Sequence, residues 1–279
     1  ATLPAMTASS MVFIGGGNMA GALIGGLLRA GRPPASILVV EPVPAQRERL
    51  AQQFGVTALA AADARLAGAA TVVWAVKPQS FAAAAAPCAP YIAGALQVSV
   101  MAGIRSEALA AASGSQRVVR AMPNTPALIG RGIAGLYARD AVSAAERAEA
   151  EALFAPTGAV LWVAQESDLD AVTALSGSGP AYVFYFVEAM MQAATEMGLT
   201  AAQGRQLALA TFDGASALAA ASDEAPETLR AQVTSKGGTT FAAISALEDS
   251  GVKAAFVRAL HAACTRAREL GDEFGSAPP

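Results

Sequence analysis

The stretch VTSKGGTTFAAISALE, residues 233–248, holds two adjacent glycines, two adjacent threonines and then an apolar pattern at helical spacing. Its only charges are Lys236 and the distant Glu248. A Gly-Gly turn that enters a helix leaves N–H groups without acceptors at the positive end of the dipole, which suits an anion. The amides of Gly237, Gly238 and Thr239 can meet a carboxylate, and the Thr239 and Thr240 hydroxyls can bond a further polar group. A glycine-rich helix start with threonine caps and no ligand reads the same way, and both readings stand on these residues alone.

A second constellation opens the chain. The apolar run MVFIG (11–15) leads into GGGNMA (15–20) and then a helical pattern, GALIGGLLRAG. This is G-x-G-x-x-A at a strand-to-helix turn. Gly15 permits the tight turn, Gly17 lets the backbone approach a pyrophosphate, and Ala20 keeps the helix close to the strand. Glu41 ends the next apolar run, about twenty residues on, where a carboxylate accepts from a ribose 2′-hydroxyl. It would repel a 2′-phosphate and so favours NADH, although Arg47 and Arg49 follow and offer cations to such a phosphate. A solvated strand-end acid is the plainer reading. Lys77, in WAVKPQ (74–79), faces the cofactor or stays solvated. RAMPNTP (120–126) presents Asn124 and Thr125, or is simply a stiff turn between prolines.

A nicotinamide site implies hydride transfer, and the rest of the inventory restricts the acceptor. Carbonyl reduction needs a proton donor, commonly His, Lys or Tyr. The chain has one histidine, His261, within the helical pattern FVRALHAACTRAREL, where it reads as structural. Its lysines are Lys77, Lys236 and Lys253, and no tyrosine begins a Tyr-x-x-x-Lys pair. A protonated imine is already cationic, and hydride addition gives an amine with no further proton. Such a substrate needs orientation and a few hydrogen bonds rather than a strong acid.

These residues need elements to hold them. Apolar, β-rich runs at 11–15, 37–41, 71–76, 96–101, 117–122, 132–138 and 159–163 alternate with helical segments such as AQRERLAQQF. Repeated strand–helix–strand predicts a mainly parallel sheet covered on both faces. Beyond Glu166 the strand signals stop and the pattern is helical. The expectation is an α/β Rossmann-like N-terminal domain with a parallel-rich sheet, residues 11–165, followed by an all-α domain, residues 166–279, with the boundary near 164–168. Several later helices are apolar over most of their circumference and must be buried. About 110 residues cannot bury that much surface alone, so a partner subunit is expected.

Composition agrees. The 279 residues suit two domains, and the apolar content supports a sizeable core. A net charge of −3 without a basic cluster argues against nucleic acid. Cys88 and Cys264 lie far apart outside any C-x-x-C pair, which predicts reduced thiols, no metal and a cytoplasmic setting. Residues 1–28 carry no charge, yet their glycines and Asn18 oppose a membrane span, and no basic segment precedes them to make a signal peptide. Residues 1–10 and the final SAPP are expected to be loose ends.

The motifs FIGGGNMAGALIGGL, AVKPQ, RAMPNTP, DLDAVTALSGSGPAYVF and VTSKGGTTFAAISALEDSGV, in this order, resemble those of the pyrroline-5-carboxylate reductases. The resemblance runs from Met11 to about Leu270. It implies reduction of 1-pyrroline-5-carboxylate to L-proline with NADPH or NADH, and a helical domain that interlocks with a second copy into a dimer or a ring of dimers. By position, it implies that Ile14, Gly15, Gly16, Gly17, Asn18 and Met19 cradle the pyrophosphate. Ala75, Val76, Lys77 and Pro78, with Val100, Met101 and Ala102, would line the cofactor. Thr240 would hydrogen-bond the ring nitrogen, and the backbone at Gly238 and Thr239 would hold the carboxylate. Glu166 and Gln232 would lie near the substrate, and SGSGP (176–180) would serve close packing and a helix start. Ala62, Asp223 and Glu41 depart from the residues common in that family. A related cyclic imine carboxylate, or nucleotide binding without turnover on the same fold, are the alternatives.

Overall fold

The computed structural model describes residues 10–275, so all but one of the residues expected to be loose ends lie outside the described residues. Ser10 is the exception. It is buried, and its carbonyl accepts from the Ala70 N–H at 2.9 Å.

The chain divides into two compact units. Among the described residues, one runs up to Ser178 and resumes at Ala263, and the other is Gly179–Ala262. The first unit contains β1 (Met11–Ile14), α1 (Asn18–Arg29), β2 (Ile37–Val40), α2 (Pro44–Phe54), β3 (Thr57–Leu59), β4 (Thr71–Trp74), α3 (Phe81–Ile92), β5 (Leu96–Ser99), α4 (Ser106–Ser113), β6 (Val118–Met122), β7 (Gly132–Ala138), α5 (Ala144–Phe154), β8 (Gly158–Trp162) and α6 (Asp168–Val172). The eight strands form one sheet in the order β3-β2-β1-β4-β5-β6-β7-β8. Every neighbouring pair is parallel except β6 and β7, which run antiparallel.

The sequence explains the layering. In β1, β2, β4 and β5 every residue is buried, as a sheet covered on both faces requires. One core holds Phe13, Val39, Val73 and Val98 against Leu23 of α1, Leu50 of α2 and Leu153 of α5. The other holds Val12, Ile14, Val72 and Trp74 against Cys88 of α3 and Leu109 of α4. Gln97 interrupts the apolar pattern, yet its amide is satisfied: Trp74 Nε1 donates to it, and it donates to the Ile92 and Ala95 carbonyls. The strand absent from the sequence reading, β3, has three residues at the sheet edge and graded exposure, too little for a period to emerge.

The second unit holds α7 (Gly179–Glu196), α8 (Ala201–Ala220), α9 (Pro226–Gln232), α10 (Thr239–Asp249) and the start of α11 (Val252–Gly275). α7 and α8 meet where a Cβ on Gly204 would come within 2.8 Å of the Ala194 Cβ. Phe256 stacks edge-on against Tyr182 and Phe186, each at 5.7 Å. Many apolar side chains here nevertheless face outward, among them Phe184, Tyr185, Met197, Leu207 and Leu218. The change of secondary-structure type near 164–168 and the division of packing at Ser178 are separate features of the chain, because α6 and the wide π-turn Thr173–Gly177 pack within the first unit.

Candidate active site

The glycine loop after β1 has the geometry a pyrophosphate needs. Gly15 has φ +98°, and a Cβ there would stand 2.6 Å from the Ala75 carbonyl oxygen, so glycine alone is accommodated. A Cβ on Gly17 would meet nothing within 4 Å, which leaves the ridge over the loop open to a ligand. Gly17 caps α1 without a side-chain hydrogen bond, and no acidic residue lies in the first turn. The leading N–H groups of α1 therefore keep their dipole for an anion. The chain's residues fit a dinucleotide here. Asn18 is exposed at this ridge, whereas Ile14 belongs to one core and Met19 packs against the other.

Glu41 follows β2 with its side chain buried beneath this loop. Its two carboxylate oxygens accept from the Gly16 and Val43 N–H groups, each at 2.9 Å. Arg49 donates to the Gly16 carbonyl at 2.7 Å, and Arg47 donates to the carbonyls of Glu41 and Pro42. Arg47 thus straps the β2–α2 turn and Arg49 ties α2 to the β1–α1 loop, each through backbone oxygens. No ion pair among the described residues joins Glu41 to either of them. Glu41 brings its negative charge to the loop without a cation of its own.

The other expected cofactor residues cluster at the C-terminal ends of β4 and β5, where an open parallel sheet forms its crevice. Ala75 and Val76 are half-buried, Lys77 is exposed, and Pro78 begins a short turn that ends at Ser80. Val100 and Ala102 are half-buried, whereas Met101 is buried and its side chain belongs to the core. Asn124 behaves as a turn brace: its amide donates to the Ser176 carbonyl at 3.1 Å and accepts from the Ile133 N–H at 3.0 Å. Gly177 lies against Met122, where a Cβ would come within 2.7 Å, and α7 starts at Gly179.

Glu166 is joined to groups the sequence reading did not single out. One carboxylate oxygen accepts from the Ser106 N–H at 2.6 Å and from Arg120 Nη1 at 2.8 Å, and the other accepts from the Ser106 hydroxyl at 2.6 Å. Burial by itself raises the Glu166 pKa. The Ser106 and Arg120 hydrogen bonds outweigh that and hold the carboxyl below the usual carboxylate range. Arg120 is buried on β6, and its Nε has no hydrogen-bond partner among the described residues. The available signal was Arg120 itself, a cation set within the otherwise apolar strand VVRAM.

In the second unit, Gly237 (φ +76°) turns the chain into α10 and Gly238 caps it without a side-chain hydrogen bond. The Gly238 N–H is taken by the Ser235 carbonyl at 3.0 Å, which removes one of the amides expected for the anion. The N–H groups of Thr239, Thr240 and Phe241 occupy the first turn, where a helix supplies no internal acceptor. Thr239 is exposed and Thr240 half-buried. Gln232 ends α9, exposed and hydrogen-bonded to Glu224.

Residues 166–270 match the model described as pyrroline-5-carboxylate reductase dimerisation, and residues 10–103 match that of NADP oxidoreductase, coenzyme F420-dependent. The chain is 42% identical to a pyrroline-5-carboxylate reductase of Pseudomonas aeruginosa, covering 97% of this chain and all of that one. Its fold is similar to that of a pyrroline-5-carboxylate reductase from Coxiella burnetii, with TM-score 0.87, 35% identity and coverage of 95% and 99%. It is also similar to the Plasmodium falciparum pyrroline carboxylate reductase with NADP bound, with TM-score 0.84, 26% identity and coverage of 96% and 100%. The dimerisation model over residues 166–270 and 42% identity over 97% of the chain agree: the chain belongs to the pyrroline-5-carboxylate reductase family.

Proposed function

We infer that the protein reduces 1-pyrroline-5-carboxylate to L-proline with NADH or NADPH, the last step of proline biosynthesis, in the cytoplasm and as a self-associated dimer or a ring of dimers. The observation that carries this reading is the α10 start, with its glycine cap, open first-turn N–H groups, two threonines and no acidic residue. Residues 11–165 form the dinucleotide-binding domain, and residues 166–279 the helical domain for substrate and dimerisation.

The reduced nicotinamide supplies a hydride, and the protein's own groups supply everything else by position. The α1 start, Gly15 to Met19, holds the pyrophosphate, while Ala75 to Pro78 and Val100 to Ala102 hold the nicotinamide half. Glu41 accepts from the adenosine ribose and repels a 2′-phosphate, so NADH is the preferred donor. The first turn of α10, with the backbone at Gly238 and Thr239, takes the substrate carboxylate. Thr240 hydrogen-bonds the ring nitrogen, and Gln232 borders the ring. The imine arrives protonated. Hydride adds to its carbon, the nitrogen keeps the electron pair of the former double bond, and the product amine takes its last proton from water. No general acid is required, in keeping with a chain that has one histidine and three lysines, His261, Lys77, Lys236 and Lys253.

The test is steady-state oxidation of each nicotinamide by pyrroline-5-carboxylate, with Thr240→Ala beside the parent. The variant is expected to lose about 2–4 kcal/mol of transition-state stabilisation. An unchanged rate in the variant removes Thr240 from the role, and no turnover in the parent removes the reading itself.

A further inference from the structure

Glu166 is the residue whose expected role and observed contacts differ most. Here both oxygens are engaged at short range, and three donors converge on them. Glu166 is also the counter-charge of Arg120, whose side chain is only 10% exposed. Turning the carboxylate toward a ligand would take from that buried guanidinium the carboxylate it is hydrogen-bonded to, a costly change. The Ser106 hydroxyl, donating to Glu166, accepts in turn from Arg139 at 3.3 Å.

Ser106 is the first residue of α4 and ends the segment that begins at Val100. That segment is held along its length. The Val100 N–H donates to the Trp74 carbonyl at 3.0 Å, and the Met101 N–H to the Ser99 hydroxyl at 3.2 Å. Gly103 lies under the end of α11, where a Cβ would stand 3.0 Å from Phe274 and 3.1 Å from the Leu270 carbonyl oxygen. Arg105 donates to the Gly271 carbonyl at 3.3 Å and to Asp272 at 2.6 Å. Glu166 closes the far end by binding both the N–H and the hydroxyl of Ser106.

We propose that Glu166 is a positioning residue: through Ser106 it fixes the Val100–Ser106 segment, the wall for the nicotinamide half of the cofactor, and it does not touch the imine. This rests on the reading of Val100 to Ala102 as cofactor-lining. Its lowered pKa agrees, since a carboxylate so held stays ionised and is a poor proton donor to substrate.

The experiment compares Glu166→Gln, Ser106→Ala, Ser106→Thr and the Glu166→Gln/Ser106→Ala double variant by cofactor Kd, from nucleotide fluorescence titration, and by kcat and both KM values. Glutamine keeps an acceptor for the Ser106 N–H, and Ser106→Ala leaves the Arg120 pair intact, so folded protein is available on at least one arm. Glu166→Gln and Ser106→Ala are each expected to weaken cofactor binding and lower kcat by about tenfold or more, with imine KM within about twofold. Ser106→Thr restores most of the loss. The double variant falls no further than the worse single one, because both act through one contact.

The proposal is overturned if Glu166→Gln raises imine KM while Ser106→Ala is silent, if the two losses multiply, or if both variants only melt earlier with unchanged kinetics. Ala102→Leu separates the underlying reading. Intact cofactor binding in that variant means the segment does not line the cofactor, whatever Glu166 does.

Discussion

At the scale of single residues, the glycine fingerprint and Glu41 were legible because their chemistry is local: a turn, a helix start and a strand-end acid within thirty-odd residues of chain. Glu41 also holds the Gly16 and Val43 N–H groups, which no spacing rule announces. Glu41→Gln preserves the shape and removes the charge. We expect NADH binding to weaken by about 1.5–3 kcal/mol, the range for a hydrogen bond to a charged group, while NADPH binding holds or improves. Nucleotide titration with both cofactors checks this, and an equal loss for both would show that Glu41 acts only on the loop. The Glu166–Ser106–Arg120 cluster was not legible, since its members lie 46 and 60 residues apart and meet only when β6 and α4 are in place.

At the scale of elements, the helices sort by how they begin. α5 and α8 open on complete capping boxes, Ser143 with Glu146 and Thr200 with Gln203. α1 and α10 open on glycine with no side-chain cap. A capped helix has its leading N–H groups satisfied from within, whereas an uncapped one leaves them for a ligand. Thr200→Ala is therefore expected to cost about 1 kcal/mol of stability with kcat and both KM values unchanged. Urea unfolding and steady-state assays measure the two. The long buried strands were legible from apolar runs, but β3 was not, and neither was the reversal between β6 and β7. Direction is set by how the chain crosses, not by composition.

At the scale of the whole molecule, two predictions concern association and acid. Phe184 and Tyr185 are 58% and 69% exposed on a helix that belongs to the dimerisation region. Phe184→Asp is expected to shift the protein toward monomer in sedimentation velocity, because a charge on a buried apolar contact is strongly unfavourable. An unchanged sedimentation coefficient would place the interface elsewhere. Glu146 and Glu166 both have folded-state pKa values below the ordinary 4.5. For each, burial works upward, and hydrogen bonds with Ser143 and Arg117, or with Ser106 and Arg120, prevail. A depressed carboxyl pKa contributes stability above the unfolded value and loses it as pH falls through the folded one. Asp170 works in the opposite sense, because burial pushes its pKa up against the nearby Arg105, Arg120 and Arg268. Melting temperature should thus fall below about pH 4.5, and less steeply in a Glu146→Gln variant. An identical acid limb in that variant would exclude Glu146 as a contributor.

The nucleotide unit takes in residues from Ala263 onward, which follow the whole of the helical unit in the chain. Domains ordinarily fold in the order in which they leave the ribosome, yet Arg105 waits for Asp272, more than one hundred and sixty positions later. The half of the enzyme made first is thus the last to be finished. A transcript cut short before Ala263 would yield a polypeptide whose earliest-built part lacks its own buckle.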